Sequence, residues 1–147
     1  MERRQFADVF VVFCSFCLIC VSVLVRAESS VDEAAYRWQQ ELSKIEFLLA
    51  AVEQNPHGFI RNGTQYDGAE AAAHLRMKLK RAQNWWFAPP KEQWSVELFI
   101  DKVASGSSIS GKPYLVKNAQ GQVHPSNEWL RQRLAEYEQC ADSLARE

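Results

Sequence analysis

Cysteine is scarce wherever it could staple a fold. The chain of 147 residues holds four cysteines, and three of them, Cys14, Cys17 and Cys20, lie inside the apolar run from Val9 to Val25. Beyond Ala27 only Cys140 remains, so no internal disulfide can form there and the fold must rest on its core. Bulky Phe13, Phe16 and Ile19 precede the three clustered cysteines, which excludes a lipoprotein leader. Their CxxCxxC spacing is filler in a hydrophobic segment, not a metal site. Cys140 is expected as a small buried hydrophobe beside a helix seam. Histidine is equally sparse: His57, His74 and His124 share no ligand spacing, and none stands in a His-Glu-x-x-His frame, so neither metal nor cofactor is expected. An excess of one charge is lacking too. The 17 basic and 18 acidic residues leave a net charge of −1, which excludes a long-range field for nucleic acid. There are no repeats and no low-complexity tracts.

What is present begins with an address. Arg3 and Arg4 precede VFVVFCSFCLICVSVLV, which runs into Val25-Arg26-Ala27. A basic segment, an apolar segment and an A-x-A-like site in that order predict a signal peptide over residues 1–27, cut between Ala27 and Glu28. One globular domain, 28–147, is expected to follow. The competing reading is a single-span anchor, since the apolar run approaches a bilayer-spanning length. In that case the membrane is met only through this segment. In both readings the chain after Ala27 lies outside the cytoplasm.

Periodicity sets the elements. Ala35, Trp38, Leu42, Ile45, Leu49 and Val52 form an apolar stripe on one helix, which Asn55-Pro56 stops. The stretch PHGFIRNGTQYDG reads as turn-rich. A second helix over Asp67 to Gln83 carries Ala72, Leu75, Leu79 and Ala82, with Asp67 as its N-cap. Ser95 caps a third, with Val96, Phe99, Ile100 and Val103 inward. Tyr114–Lys117 and Gln122–His124 predict a short β-hairpin, and Pro125-Ser126 opens a last helix with Leu130, Leu134, Tyr137, Ala141 and Leu144 inward. The fold class is therefore mainly α, a small α+β domain of about four amphipathic helices with one hairpin before the C-terminal helix.

GSSISGKP, Gly106 to Pro113, has the spacing of a nucleotide phosphate loop. Such a loop needs a strand before it and a Ser or Thr after its lysine. Here helix spacing precedes Gly106 and Pro113 follows Lys112, so no nucleotide is expected. Its serines and glycines remain suited to an anion or sugar, or to a plain solvated linker.

FIRNG, HLRMK and SGSSISGKPY, in that order, resemble the YfeK-like family of small exported bacterial proteins, a domain of unknown function of the DUF5329 type. The resemblance covers most of the chain after the leader and implies a Gram-negative periplasmic address. It carries no known activity and no catalytic residues. NWWFAPPKEQW, Asn84 to Trp94, looks longer and more aromatic than the family pattern.

Two surfaces stand out. Arg61 and Asn62 lie on the turn before the second helix, His74 and Lys78 share one face of that helix, and Arg76 with Lys80 takes the other flank. Arg61, Asn62, His74, Arg76 and Lys78, with Ser107, Ser108, Ser110, Lys112 and Tyr114, make a candidate cationic, hydroxyl-rich cleft for a carboxylate, phosphate or sugar. The bland alternative is charge that solvates an amphipathic helix. A hydrolase would need Ser107, Ser108 or Ser110 against His74, oriented by Glu70, and no Gly-x-Ser-x-Gly elbow supports it. The leading reading is a non-catalytic binding or interaction module of the cell envelope, for an unidentified envelope ligand or protein. The second surface is an aromatic patch of Trp85, Phe87 and Trp94. Trp86 is expected to be mostly buried, four residues beyond Ala82, with Trp85 or Phe87 accessible.

Overall fold

Residues 32–146 are described by a computed structural model; the predicted leader, the Ala27–Glu28 pair and the three clustered cysteines lie outside the described residues. The chain divides at Arg37 and Trp38. Of the first unit, residues 32–37 are helical and mostly exposed. The second unit, Trp38–Glu147, holds the core, the sheet and the candidate site.

Among the described residues there are four helices and one four-stranded antiparallel sheet. Helix α1 (residues 32–54) ends at Asn55, as the Asn-Pro step requires. Its stripe narrows to Ile45, Leu48, Leu49 and Val52, all fully buried. Helix α2 (Gly68–Gln83) begins with a complete capping box: Asp67 accepts from the Glu70 N–H, and Glu70 reaches back to the Asp67 N–H. Gly68 follows at once because α2 starts against the end of α1. A Cβ there would stand 2.5 Å from the Glu53 carbonyl oxygen and 2.6 Å from that of Val52.

Between α1 and α2 the turn-rich stretch is itself a hairpin. Strands β1 (Phe59–Arg61) and β2 (Thr64–Tyr66) pair antiparallel across Asn62-Gly63. Both turn residues have positive φ, 51° and 87°, the conformation a tight two-residue hairpin turn demands. β1 also pairs with β3 (Leu115–Lys117), which pairs with β4 (Val123–Pro125), so the expected single hairpin is joined to a second one in the order β2-β1-β3-β4.

Helix α3 begins at Val96–Leu98 and continues as a π-helical segment, Phe99–Ala104. Ser95 caps it, accepting from the Leu98 N–H. Val96, Phe99, Ile100 and Val103 are buried as their spacing predicts. The widened turn leaves carbonyls at its end that side chains satisfy. The Ser126 hydroxyl donates to the Ala104 carbonyl at 2.6 Å, and Ser126 is itself buried. Helix α4 (Ser126–Leu144) packs through Leu130 and Leu134.

Four sequence expectations are corrected. Trp86 is 81% exposed, because α2 terminates at Asn84 and never carries the stripe to it. Trp94 is 5% exposed and belongs to the core instead of a surface patch. It immediately precedes the Ser95 cap, with buried Phe99 four residues into the helix, the two positions of a hydrophobic staple. The inward stripe of α4 fades after Leu134: Tyr137 is half-buried, Ala141 is exposed and so is Leu144, since the helix outruns the elements it packs on. Cys140, on that overhang, is exposed.

Candidate functional site

The hairpin β1–β2, helix α2 and the start of β3 converge on His74. Arg61, at the end of β1, puts Nη1 2.6 Å from His74 Nδ1 and donates through Nη2 to the Tyr66 hydroxyl at 3.1 Å. Tyr114, one residue before β3, sets its hydroxyl 3.2 Å from His74 Nε2. A guanidinium can only donate, so Nδ1 is the acceptor and the proton sits on Nε2, which donates to Tyr114. His74 is thus held neutral. Burial lowers its pKa first, and the nearby charges of Arg61, Lys78 and Arg81 lower it further. Burial raises the Tyr114 phenol, with Arg61 opposing. Tyr114 stays protonated, and its own O–H is left to donate into the adjoining space.

Lys78, one turn beyond His74, donates to the Val103 carbonyl at 2.8 Å and the Gly106 carbonyl at 2.5 Å, tying α2 to the end of α3. Its ammonium also lies 5.1 Å from the centre of the Tyr114 ring. Burial lowers its pKa. The Ser110 hydroxyl donates to Asn62 Oδ1 at 2.8 Å, fastening the Ser/Gly loop to the hairpin turn.

Two cavities meet at this cluster and share Arg61, His74, Met77 and Tyr114. One, of about 340 Å³, is walled mainly by apolar residues including Val52, Phe59, Leu75 and Leu130. The other, of about 640 Å³, is cationic: Arg61, Lys78, Arg81 and Lys102 line it beside His74, and among the described residues no carboxylate does. Among the described residues none of those four cations makes an ion pair, whereas Lys44, Arg76, Arg131 and Arg133 all do. No group of three His, Cys, Asp or Glu is placed to hold a metal ion among the described residues.

Residues 39–138 match the model of a protein family of unknown function, DUF5329. The chain belongs to that family. The uncharacterized protein YfeK of Salmonella typhimurium is 43% identical over 75 residues, covering 50% of this chain and 57% of that protein. The chain therefore spans little more than half the length of this curated relative. No solved structure matches it.

Within the DUF5329 domain the sequence-derived cleft is only partly assembled. Arg61, Asn62, His74, Lys78, Ser107, Ser108 and Tyr114 line one cavity, and Ser110 joins them through Asn62. Arg76 does not: it faces α1 and pairs with Glu53 at 2.7 Å. Nor does the Lys112 side chain, which lies in an exposed turn closed by the Gly106–Pro113 bridge. The N–H groups of Ser107 and Gly111 bond the Lys112 and Ser107 carbonyls, so these donors serve the loop itself. The proposed serine–histidine pair is also absent, because Arg61 and Tyr114 occupy both nitrogens of His74 and Glu70 is spent on the α2 cap. Arg81, Lys102 and Tyr66 escaped the sequence reading. Arg81 was within reach, since His74, Lys78 and Arg81 fall at i, i+4 and i+7, one face of α2. Lys102 carried no such signal, as its direction depends on the widened turn of α3.

No helix among the described residues is long and apolar enough to cross a membrane.

Proposed function

We propose that this domain is an exported, non-catalytic binding module of the bacterial cell envelope that seats a small anionic group in its cationic cavity. One observation carries the reading: four cations without ion-pair partners line a concave space that lacks any carboxylate among the described residues. Cations gathered in a concave site without a carboxylate favour a carboxylate, phosphate or sulfate, with the Tyr114 hydroxyl and the Asn62 amide able to orient it. The engagement of both His74 nitrogens favours binding over nucleophilic catalysis, which needs a base in contact with its nucleophile. Export rests on the leader-like residues 1–27 and predicts that N-terminal sequencing of envelope protein starts at Glu28.

A thermal-shift screen with cell-wall fragments, anionic sugars, inorganic phosphate and neutral sugars tests the site. Anionic compounds raise the melting temperature of the wild-type chain and not of an Arg81→Ala/Lys102→Ala double variant. A flat response to every anion sinks the proposal.

A further inference from the structure

The cationic cavity has an apolar rim that a small soluble anion would not use. Trp85 and Phe87 are each 66% exposed, Trp86 81% and Ile109 100%. Trp85 and Ile109 line the cavity from the α2–α3 connection and from the Ser/Gly loop. Trp86 and Phe87 lie outside that lining, tilted by 39° against each other at 3.8 Å between ring centres, and Phe87 meets Trp85 edge-on at 5.9 Å. Single exposed apolar residues are ordinary. Three rings in mutual contact, one of which lines the cationic cavity with a bare isoleucine, form a patch, and such patches mark protein or membrane contacts. The rings are also rigidly presented: the Ala88 N–H bonds the Trp85 carbonyl at 2.8 Å, and Pro89-Pro90 follows.

We infer that this rim and cavity together form a membrane-docking surface that seats an anionic phospholipid headgroup. The inference rests on the anion-binding reading above and names the source of the anion. Charge complementarity selects the occupant. Arg81 and Lys102 are exposed, line the cavity and have no ion-pair partner among the described residues. A bilayer rich in anionic lipid offers protruding phosphates to such cations. It also offers, just beneath, the interfacial layer in which tryptophan rings settle. A soluble sugar or phosphate in the cavity meets Trp85 and Ile109 and leaves the Trp86–Phe87 pair in water. A bilayer interface also takes up the exposed Trp86–Phe87 pair.

The full chain, as the cell processes it, is mixed with phosphatidylglycerol vesicles, phosphatidylcholine vesicles and soluble glycerol phosphate. The readout is the excess binding to phosphatidylglycerol over phosphatidylcholine, in which any contribution of the Val9–Val25 run to both cancels. The excess is present for the wild type and falls at least about tenfold in Arg81→Glu/Lys102→Glu, where two surface cations are reversed. It falls comparably in Trp86→Ala/Phe87→Ala, and both variants keep the wild-type melting temperature because the replaced side chains are exposed. No excess, with glycerol phosphate still raising the melting temperature, overturns docking and leaves the anion site standing. No excess and no response to glycerol phosphate overturns both readings. An excess that survives Trp86→Ala/Phe87→Ala overturns the inference as well, since charge alone would then suffice.

Discussion

Arg61 and His74 meet at 2.6 Å, a strand end against the middle of a helix, with the arginine donating to Nδ1. The contact fixes the imidazole as the neutral, Nε2-protonated tautomer and passes the hydrogen-bond chain on to Tyr114. A proton on Nδ1 would face a guanidinium, so protonation breaks the cluster at its first link.

Stability should therefore fall with acid through this histidine. The His74 pKa is lowered in the folded state from an ordinary 6.5. As pH drops through that value, the unfolded chain takes up a proton that the folded chain resists, and unfolding is favoured until the lowered pKa is passed. Above the ordinary 6.5 the contribution is fully retained. Urea melts from about pH 7.5 to about pH 5.5 should show a smaller loss for His74→Gln than for wild type. Parallel curves would mean that His74 does not titrate differently in the two states.

Lys78→Met should cost about 2–3 kcal/mol, because the Val103 and Gly106 carbonyls lose a charge-assisted donor in a part-buried place. Lys80→Met, two residues on and exposed, should stay within about 0.5 kcal/mol of wild type. Denaturant midpoints of the two variants make the comparison, and equal values would deny Lys78 its tie to α3.

The two tryptophans should separate sharply. Trp94→Ala empties a buried site and should cost about 3–5 kcal/mol, while Trp86→Ala should leave the melting temperature almost unmoved. Reversed effects would place Trp86 in the core.

Gly68→Ala should destabilise by about 2–3 kcal/mol even though alanine is the better helix former. The added methyl would press on the Val52 and Glu53 carbonyl oxygens, and backbone cannot step aside as a side chain can. A neutral or stabilising result would show that α1 and α2 are free to move apart.

Much of this fold was legible in local patterns. The Asp67–Glu70 capping box, the Ser95 cap and the α3 stripe are contained in windows of a few residues and the structure keeps them, while of the α1 stripe it buries Ile45, Leu49 and Val52 and leaves Ala35 exposed. The first hairpin was legible too, since Phe59-Ile60-Arg61 and Thr64-Gln65-Tyr66 flank the strongest two-residue turn signal, Asn-Gly. Counting it as mere turn missed the strand that joins both hairpins. The exchange of Trp86 and Trp94 has a different cause. Helical phase alone carries the stripe on to Trp86, whereas the helix ends at Asn84, which the phase does not record. Among the site residues, His74 and Lys78 follow from helical spacing. Their meeting with Arg61, Tyr114 and Lys102 depends on β1–β3 pairing and on the π-helical turn, which are set by packing between distant segments.

That β1–β3 pairing also decides when the site can exist. Phe59 lies opposite Val116, and His74 and Tyr114 are 40 residues apart in the chain, so the polar cluster closes only when the most non-local pairing of the sheet has formed. The helices and the β1–β2 hairpin can assemble from near neighbours, early and quickly. A half-folded chain would hold the cations of α2 without the Tyr114 wall, so the cavity is expected to form late in folding. Ligand occupancy then acts as a readout of completed topology: whatever binds there must slow unfolding, because the chain cannot open its sheet and keep its guest.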